Sequence, residues 1–126
     1  MSFDPYAALG GEAGVRALVD AFYDAMDSGE PEVATLRAMH APDLTEARDK
    51  LFRFVSGWTG GPQLYIERYG HPMLRRRHFP FAVDVAARDA WMRCMDVALE
   101  AVVEDPAHRG WFRERFAAVA DHMVNR

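Results

Sequence analysis

Apolar residues recur in steps of three and four along four separate stretches of this chain. Nowhere do they sustain an alternation of period two. That spacing constrains the fold most, because it gathers apolar side chains on one face of a helix and leaves no half-buried strand. The first stretch holds Val15, Leu18, Val19, Phe22, Tyr23 and Met26. The second holds Leu44, Ala47, Leu51, Phe54, Val55 and Trp58. The third runs through Ala87, Trp91, Cys94, Met95, Ala98, Leu99 and Val102, and the fourth through Phe112, Phe116, Val119, Ala120 and Met123. The spacing predicts an all-α fold. Its four long helices cover 12–28, 44–58, 85–104 and 107–124, with shorter ones between.

Glycine and proline set the punctuation. Gly10 and Gly11 open the first long helix and Gly29 closes it. Pro31 suits the first turn of a short helix reaching about Met39. Asp43 and Glu46 have the spacing of a capping box, and Asp84 can cap the third long helix. Gly60-Gly61-Pro62, Gly70-His71-Pro72 and Pro80 interrupt the middle of the chain, and Pro106 divides the last two helices. Two antiparallel pairs are expected, 12–28 with 44–58 and 85–104 with 107–124. Residues 60–83 are left with little regular structure beyond one or two turns at 63–69 and a short helix over 73–78 that Pro80 closes. Yet they hold Leu64, Tyr65, Ile66, Met73, Leu74, Phe79 and Phe81, too apolar a set for a free loop. Long irregular segments in compact domains are usually functional. This one is expected to wrap something apolar, with His78 at its centre.

Composition narrows the function classes. A chain of 126 residues, half of them hydrophobic, suits one domain over 1–126 with a real core. A net charge of −4 argues against nucleic acid as a partner, and the arginines at 75 to 77 form only a local basic patch. The single cysteine, Cys94, cannot close an internal disulfide, which fits a reducing cytoplasm. No signal-peptide pattern opens the chain and no apolar run is long enough to span a bilayer. A cytoplasmic protein without membrane partners is expected.

The chain has five histidines. His71 sits in a turn, His108 among charges and His122 beside the last apolar stripe, so each suits a surface or turn role. His78 has Leu74 before it and Phe79 and Phe81 after it. HExxH and CxxC patterns are absent, so zinc is poorly supported. A lone histidine on an apolar wall is what a haem iron needs, because the porphyrin supplies four ligands. It also suits a hydrogen-bonded core histidine. Tyr23 and Trp91 lie on inner helix faces, and His40 precedes the Ala-Pro-Asp turn. These are three polar groups from three segments that either converge on a ligand or satisfy backbone carbonyls within the core.

Several segments taken together resemble the truncated haemoglobins, most closely their second group. They are Tyr6-Ala7-Ala8-Leu9-Gly10-Gly11, Phe22-Tyr23, Gly60-Gly61-Pro62, Gly70-His71-Pro72-Met73-Leu74-Arg75, Arg77-His78 with Pro80-Phe81, and Arg88-Asp89-Ala90-Trp91. The resemblance covers residues 5 to 125. It implies a globin-like two-over-two helical sandwich enclosing haem b. By the same resemblance His78 is the iron ligand. Tyr23, His40 and Trp91 are donors on the distal side, with Ala47 and Leu51 against the ligand. Tyr65, Lys50, Arg77, Phe54 and Phe81 are placed around the cofactor, the first three as candidates for its propionates.

The function implied is reversible binding of O2, CO, NO or a related ligand such as peroxide or cyanide at a ferrous iron. O2, NO or peroxide chemistry, or sensing, fits such a pocket better than bulk transport. Peroxidase-like or NO dioxygenase turnover would require an outside reductase. The other classes are a haem electron-transfer protein with His40 or Tyr23 as sixth ligand, and a non-haem helical binding domain. A monomer or a homodimer is compatible with all of these.

Overall fold

The computed structural model describes residues 3–78 and 80–125, with the Arg75 side chain left aside. Phe79, counted above in the apolar middle segment, lies outside the described residues. Among them are eight helices and no strand: α1 (Pro5–Leu9), α2 (Gly11–Met26), α3 (Pro31–Ala38), α4 (Thr45–Trp58), α5 (Leu64–Tyr69), α6 (Leu74–His78), α7 (Val85–Val102) and α8 (Pro106–Met123).

The long helices start and stop where local chemistry requires. Asp84 caps α7 by accepting from the Ala87 N–H at 2.8 Å, and Asp105 caps α8 from Ala107 at 2.8 Å, with Pro106 in the first turn. Pro31 starts α3 in the same way. The capping box at Asp43 and Glu46 does not form. Asp43 lies one residue too early, and its carboxylate accepts from the Thr45 N–H at 2.8 Å. Hydrogen bonds from Thr45 hold that carboxyl below its usual range. Glu46 turns instead to Lys50 one helical turn on, at 3.0 Å.

α1 is an element the periodicity misses, because five residues are too few to show a period. Gly10 makes it possible. At φ 99° it closes α1, its N–H donating to the Ala7 carbonyl, and it also opens α2. Gly14 then lets α2 pass against α1, since a Cβ there would lie 1.6 Å from the Leu9 carbonyl oxygen.

α2 packs on α4 and α7 packs on α8, as the apolar faces predict, and α2 lies against α7 to join the two pairs. Phe22, Leu18 and Met26 from α2, Met95 from α7 and Phe112 and Phe116 from α8 are fully buried at the centre. Residues 60–83 hold two short helices, α5 and α6, where the sequence allows a few helical turns between its glycine and proline breaks. α5 packs on α4 and α6 on α8, with Gly70 and Met73 at positive φ turning the chain between them. Asn125, just past α8, ties down the end of the segment. The Asn125 N–H donates to the Val83 carbonyl (2.8 Å) and its Oδ1 accepts from the Val83 N–H (3.0 Å). Its Nδ2 donates to the carbonyls of His78 (3.3 Å) and Phe81 (3.2 Å).

Candidate functional site

The packed helices leave a cavity of about 540 Å³ between α2, α4 and the α5–α6 segment on one side and α7 and α8 on the other. All eleven side chains singled out from the sequence line it. They are Tyr23, His40, Ala47, Lys50, Leu51, Phe54, Tyr65, Arg77, His78, Phe81 and Trp91.

His78 closes α6. Its Nδ1–H donates to the Leu74 carbonyl four residues back, at 2.7 Å. A carbonyl only accepts, so this bond fixes the tautomer and leaves Nε2 with a bare lone pair. A neutral imidazole in that state is a metal ligand, and the carbonyl behind it fixes the ring and raises its basicity.

Tyr23 is buried on α2, with Phe22 edge-on at 5.0 Å. Burial pushes its phenol well above the ordinary range, against a smaller opposing pull from Arg48, whose guanidinium stands 5.8 Å from the ring. Arg48 reaches from α4 to Asp20 (3.0 Å) and Asp24 (2.9 Å) of α2. Trp91 of α7 packs on Phe22 at 5.1 Å and Phe116 at 6.0 Å. Among the described residues neither the Tyr23 hydroxyl nor the Trp91 indole N–H has a protein partner. Every fully enclosed polar side-chain atom among the described residues has one, so these two groups open on accessible space, which here is the cavity.

His40, half-buried after α3, donates from Nδ1 to the Leu36 carbonyl at 2.9 Å. The resemblance implies a donor at this position. In the neutral ring the free nitrogen, Nε2, is instead an acceptor. The ring stands edge-on to Tyr23, with centroids 6.1 Å apart.

Ala47 and Leu51 give α4 a small, apolar face toward the cavity. Tyr65 is buried beside Phe54 at 6.3 Å, with the Arg77 guanidinium 5.4 Å over its ring. Arg77 Nη2 is fixed by the carbonyls of Tyr69 (3.0 Å) and His71 (3.1 Å), which leaves its other donors available. The Lys50–Glu46 pair is exposed and exchangeable at little cost. Phe81 lines the cavity while remaining 46% exposed, so it forms a lip rather than a floor. The far wall went unforeseen. Val83, Ala87, Phe116, Ala120 and Met123 all face the cavity, and the α7 and α8 stripes look the same whether they meet protein or a guest. Arg88 lines it too, held by Asp121 at 2.9 Å.

Two helix pairs around an apolar cavity, lined by the bare His78 Nε2 and by donors without a protein partner among the described residues, define a two-over-two helical sandwich. The bacterial-like globin family model matches residues 4–125. The chain belongs to that family, and within it to the group II truncated haemoglobins. It is 40% identical to the group 2 truncated hemoglobin YjbI of Bacillus subtilis strain 168 over 96% of this chain and 88% of that one. Among solved structures it is similar to a cold-adapted truncated hemoglobin of Pseudoalteromonas haloplanktis TAC125, with a TM-score of 0.94, 43% identity, and coverage of 98% and 99%. It is similar also to the group II 2-on-2 hemoglobin of Agrobacterium tumefaciens, with a TM-score of 0.93, 40% identity, and coverage of 98% and 95%.

As a globin the chain binds haem and takes a small ligand, which disfavours the non-haem alternative. No helix among the described residues is long and apolar enough to cross a membrane.

Proposed function

We propose that this protein holds haem b on His78 and retains O2, or a ligand of the same kind, on the side of the haem facing Tyr23 and Trp91. The observation that carries this is that one cavity is lined by a bare His78 Nε2 together with a Tyr23 hydroxyl and a Trp91 N–H that have no protein partner among the described residues. When bound, the haem supplies an iron that coordinates the small ligand and changes oxidation state.

The rest falls to the chain. His78 presents its lone pair in a fixed tautomer. Tyr23 and Trp91 donate to the partial negative charge that a diatomic acceptor gathers. Each net hydrogen bond contributes about 1 kcal/mol, and more to a charged acceptor. Two such bonds slow ligand release by roughly tenfold to a hundredfold, since about 1.4 kcal/mol is a factor of ten. Ala47 and Leu51 keep the space apolar and exclude water. Arg77, Lys50 and Tyr65 offer cations and a hydroxyl to the propionates of the cofactor.

Slow release favours ligand chemistry or sensing over bulk transport. A relative from Bacillus subtilis is described as an oxygen-avid truncated haemoglobin, at 39% identity and a TM-score of 0.87.

The test is the absorption spectrum of the reduced protein with and without O2. A high-spin ferrous spectrum that shifts on O2 addition is expected. A colourless preparation that takes up no added haemin, or a low-spin ferrous spectrum indifferent to O2, would contradict the proposal.

A further inference from the structure

The distal wall contains a base as well as donors. His40 gives its Nδ1–H to Leu36 at 2.9 Å, so a neutral His40 keeps an unshared pair on Nε2. That nitrogen has no protein donor among the described residues, and the ring lines the cavity beside Tyr23. The other polar groups around the cavity make poor bases. From α4, Lys50 is an ammonium paired with Glu46. From α6 and α7, Arg77 and Arg88 are guanidiniums, which only donate. Tyr65 and Tyr23 are phenols, and no carboxylate lines the cavity among the described residues. On the side of His40 itself, Arg37 is tied to Asp27 and to the carbonyls of Ala41 and Pro42. That leaves two bare nitrogens, on His78 and His40, and the first is assigned to the metal.

We propose that His40 is the proton acceptor of the cavity, which suits the site to weakly acidic ligands H–X, such as hydrogen cyanide, hydrogen sulfide or hydrogen peroxide. The H–X bond breaks with its electron pair left on X, and the proton forms a new N–H bond at Nε2. No oxidant or reductant takes part. The anion stays in the cavity, where Tyr23 and Trp91 donate to it and the His40 imidazolium faces it. The Leu36 carbonyl accepts from Nδ1 in either charge state, so the ring takes the proton without turning. Dioxygen brings no proton and leaves this group idle, so the proposal extends the ligand class of the proposed haem site and rests on it.

Cyanide binding to the ferric holoprotein tests this near neutral pH, where the free ligand is hydrogen cyanide. Titration calorimetry in two buffers of different ionisation enthalpy counts the protons released to solvent. If His40 retains the proton, the wild-type protein releases clearly less than about one proton per cyanide, and His40→Gln and His40→Phe release about one. The glutamine variant keeps the ring's bulk and polarity without its basicity, so it guards against a packing defect in the phenylalanine variant. Equal proton counts in wild type and His40→Gln would overturn the proposal while leaving the haem site intact. So would a low-spin ferric spectrum without cyanide that His40→Gln abolishes, because the nitrogen would then be on the iron. A protein that takes neither haem nor cyanide overturns both readings.

Discussion

Burial acts on the Tyr23 phenol in two ways. It makes the hydroxyl a stronger donor toward anything in the cavity, because the surroundings have a low dielectric. It also disfavours the phenolate and pushes the titration well above the ordinary range. Tyr23→Phe should therefore speed O2 dissociation by roughly tenfold or more, measured by stopped-flow displacement, since a hydrogen bond to a charged acceptor contributes about 1.5–3 kcal/mol. An unchanged rate would remove Tyr23 from the ligand's surroundings. The pH consequence has a definite sign. The folded phenol holds its proton where the unfolded one has released it, so folding binds more protons above about pH 10 and stability falls as pH rises beyond that point. Tyr23→Phe should flatten that fall, seen in denaturant midpoints between neutral and alkaline pH. Cys94 shows the same physics without a role in the site. It is buried, its thiol is pushed up to about 11, and it packs as a small hydrophobe. Pattern marked His78, Tyr23 and Trp91 as polar groups on apolar faces and left a core role open for each; only the resemblance proposed them for one site, and the structure places all three on one cavity. The acceptor character of His40 was not legible in the sequence, because it depends on which ring nitrogen meets the Leu36 carbonyl.

At the scale of elements, the helix that carries His78 is one and a half turns long and does not hold itself in place. Asn125 does so from 47 residues away, through its bond to the His78 carbonyl. Asn125→Ala removes the acceptor of the Val83 N–H and the donor to two carbonyls, at a cost of about 1–3 kcal/mol. Haem transfer to apomyoglobin should quicken in this variant, while the ligand-bound absorption maxima stay in place. A transfer rate equal to wild type would mean that α6 is held by other contacts. Two glycines make a paired test of the helix packing. Gly14→Ala drives a methyl into the Leu9 carbonyl and should cost about 2 kcal/mol or more in thermal or denaturant unfolding. Gly110→Ala, on α8 with nothing within 4 Å of the new methyl, should stabilise by about 0.5–1 kcal/mol. The four long helices were readable because each spans several turns of one stripe. α5 and α6 were readable only as a few turns between glycine and proline breaks, and α1 not at all, since five or six residues cannot display a period.

For the molecule as a whole, one face of α8 serves two purposes. Phe112 belongs to the core between the helix pairs, while Ala120 and Met123 continue the same stripe into the cavity wall. Periodicity marks the stripe and cannot say where protein ends and guest begins, which is why the far wall escaped the sequence. The resemblance to truncated haemoglobins supplied what pattern could not, a flat cofactor between the pairs. The central claim is that the His78 Nε2 holds the iron of that cofactor. Resonance Raman spectroscopy of the reduced, ligand-free protein reads this bond through its iron–nitrogen stretching band. The band should shift when histidine is labelled with nitrogen-15, disappear in His78→Gly, and return at a new position when imidazole is added to that variant. A band that persists unchanged in His78→Gly would contradict the account.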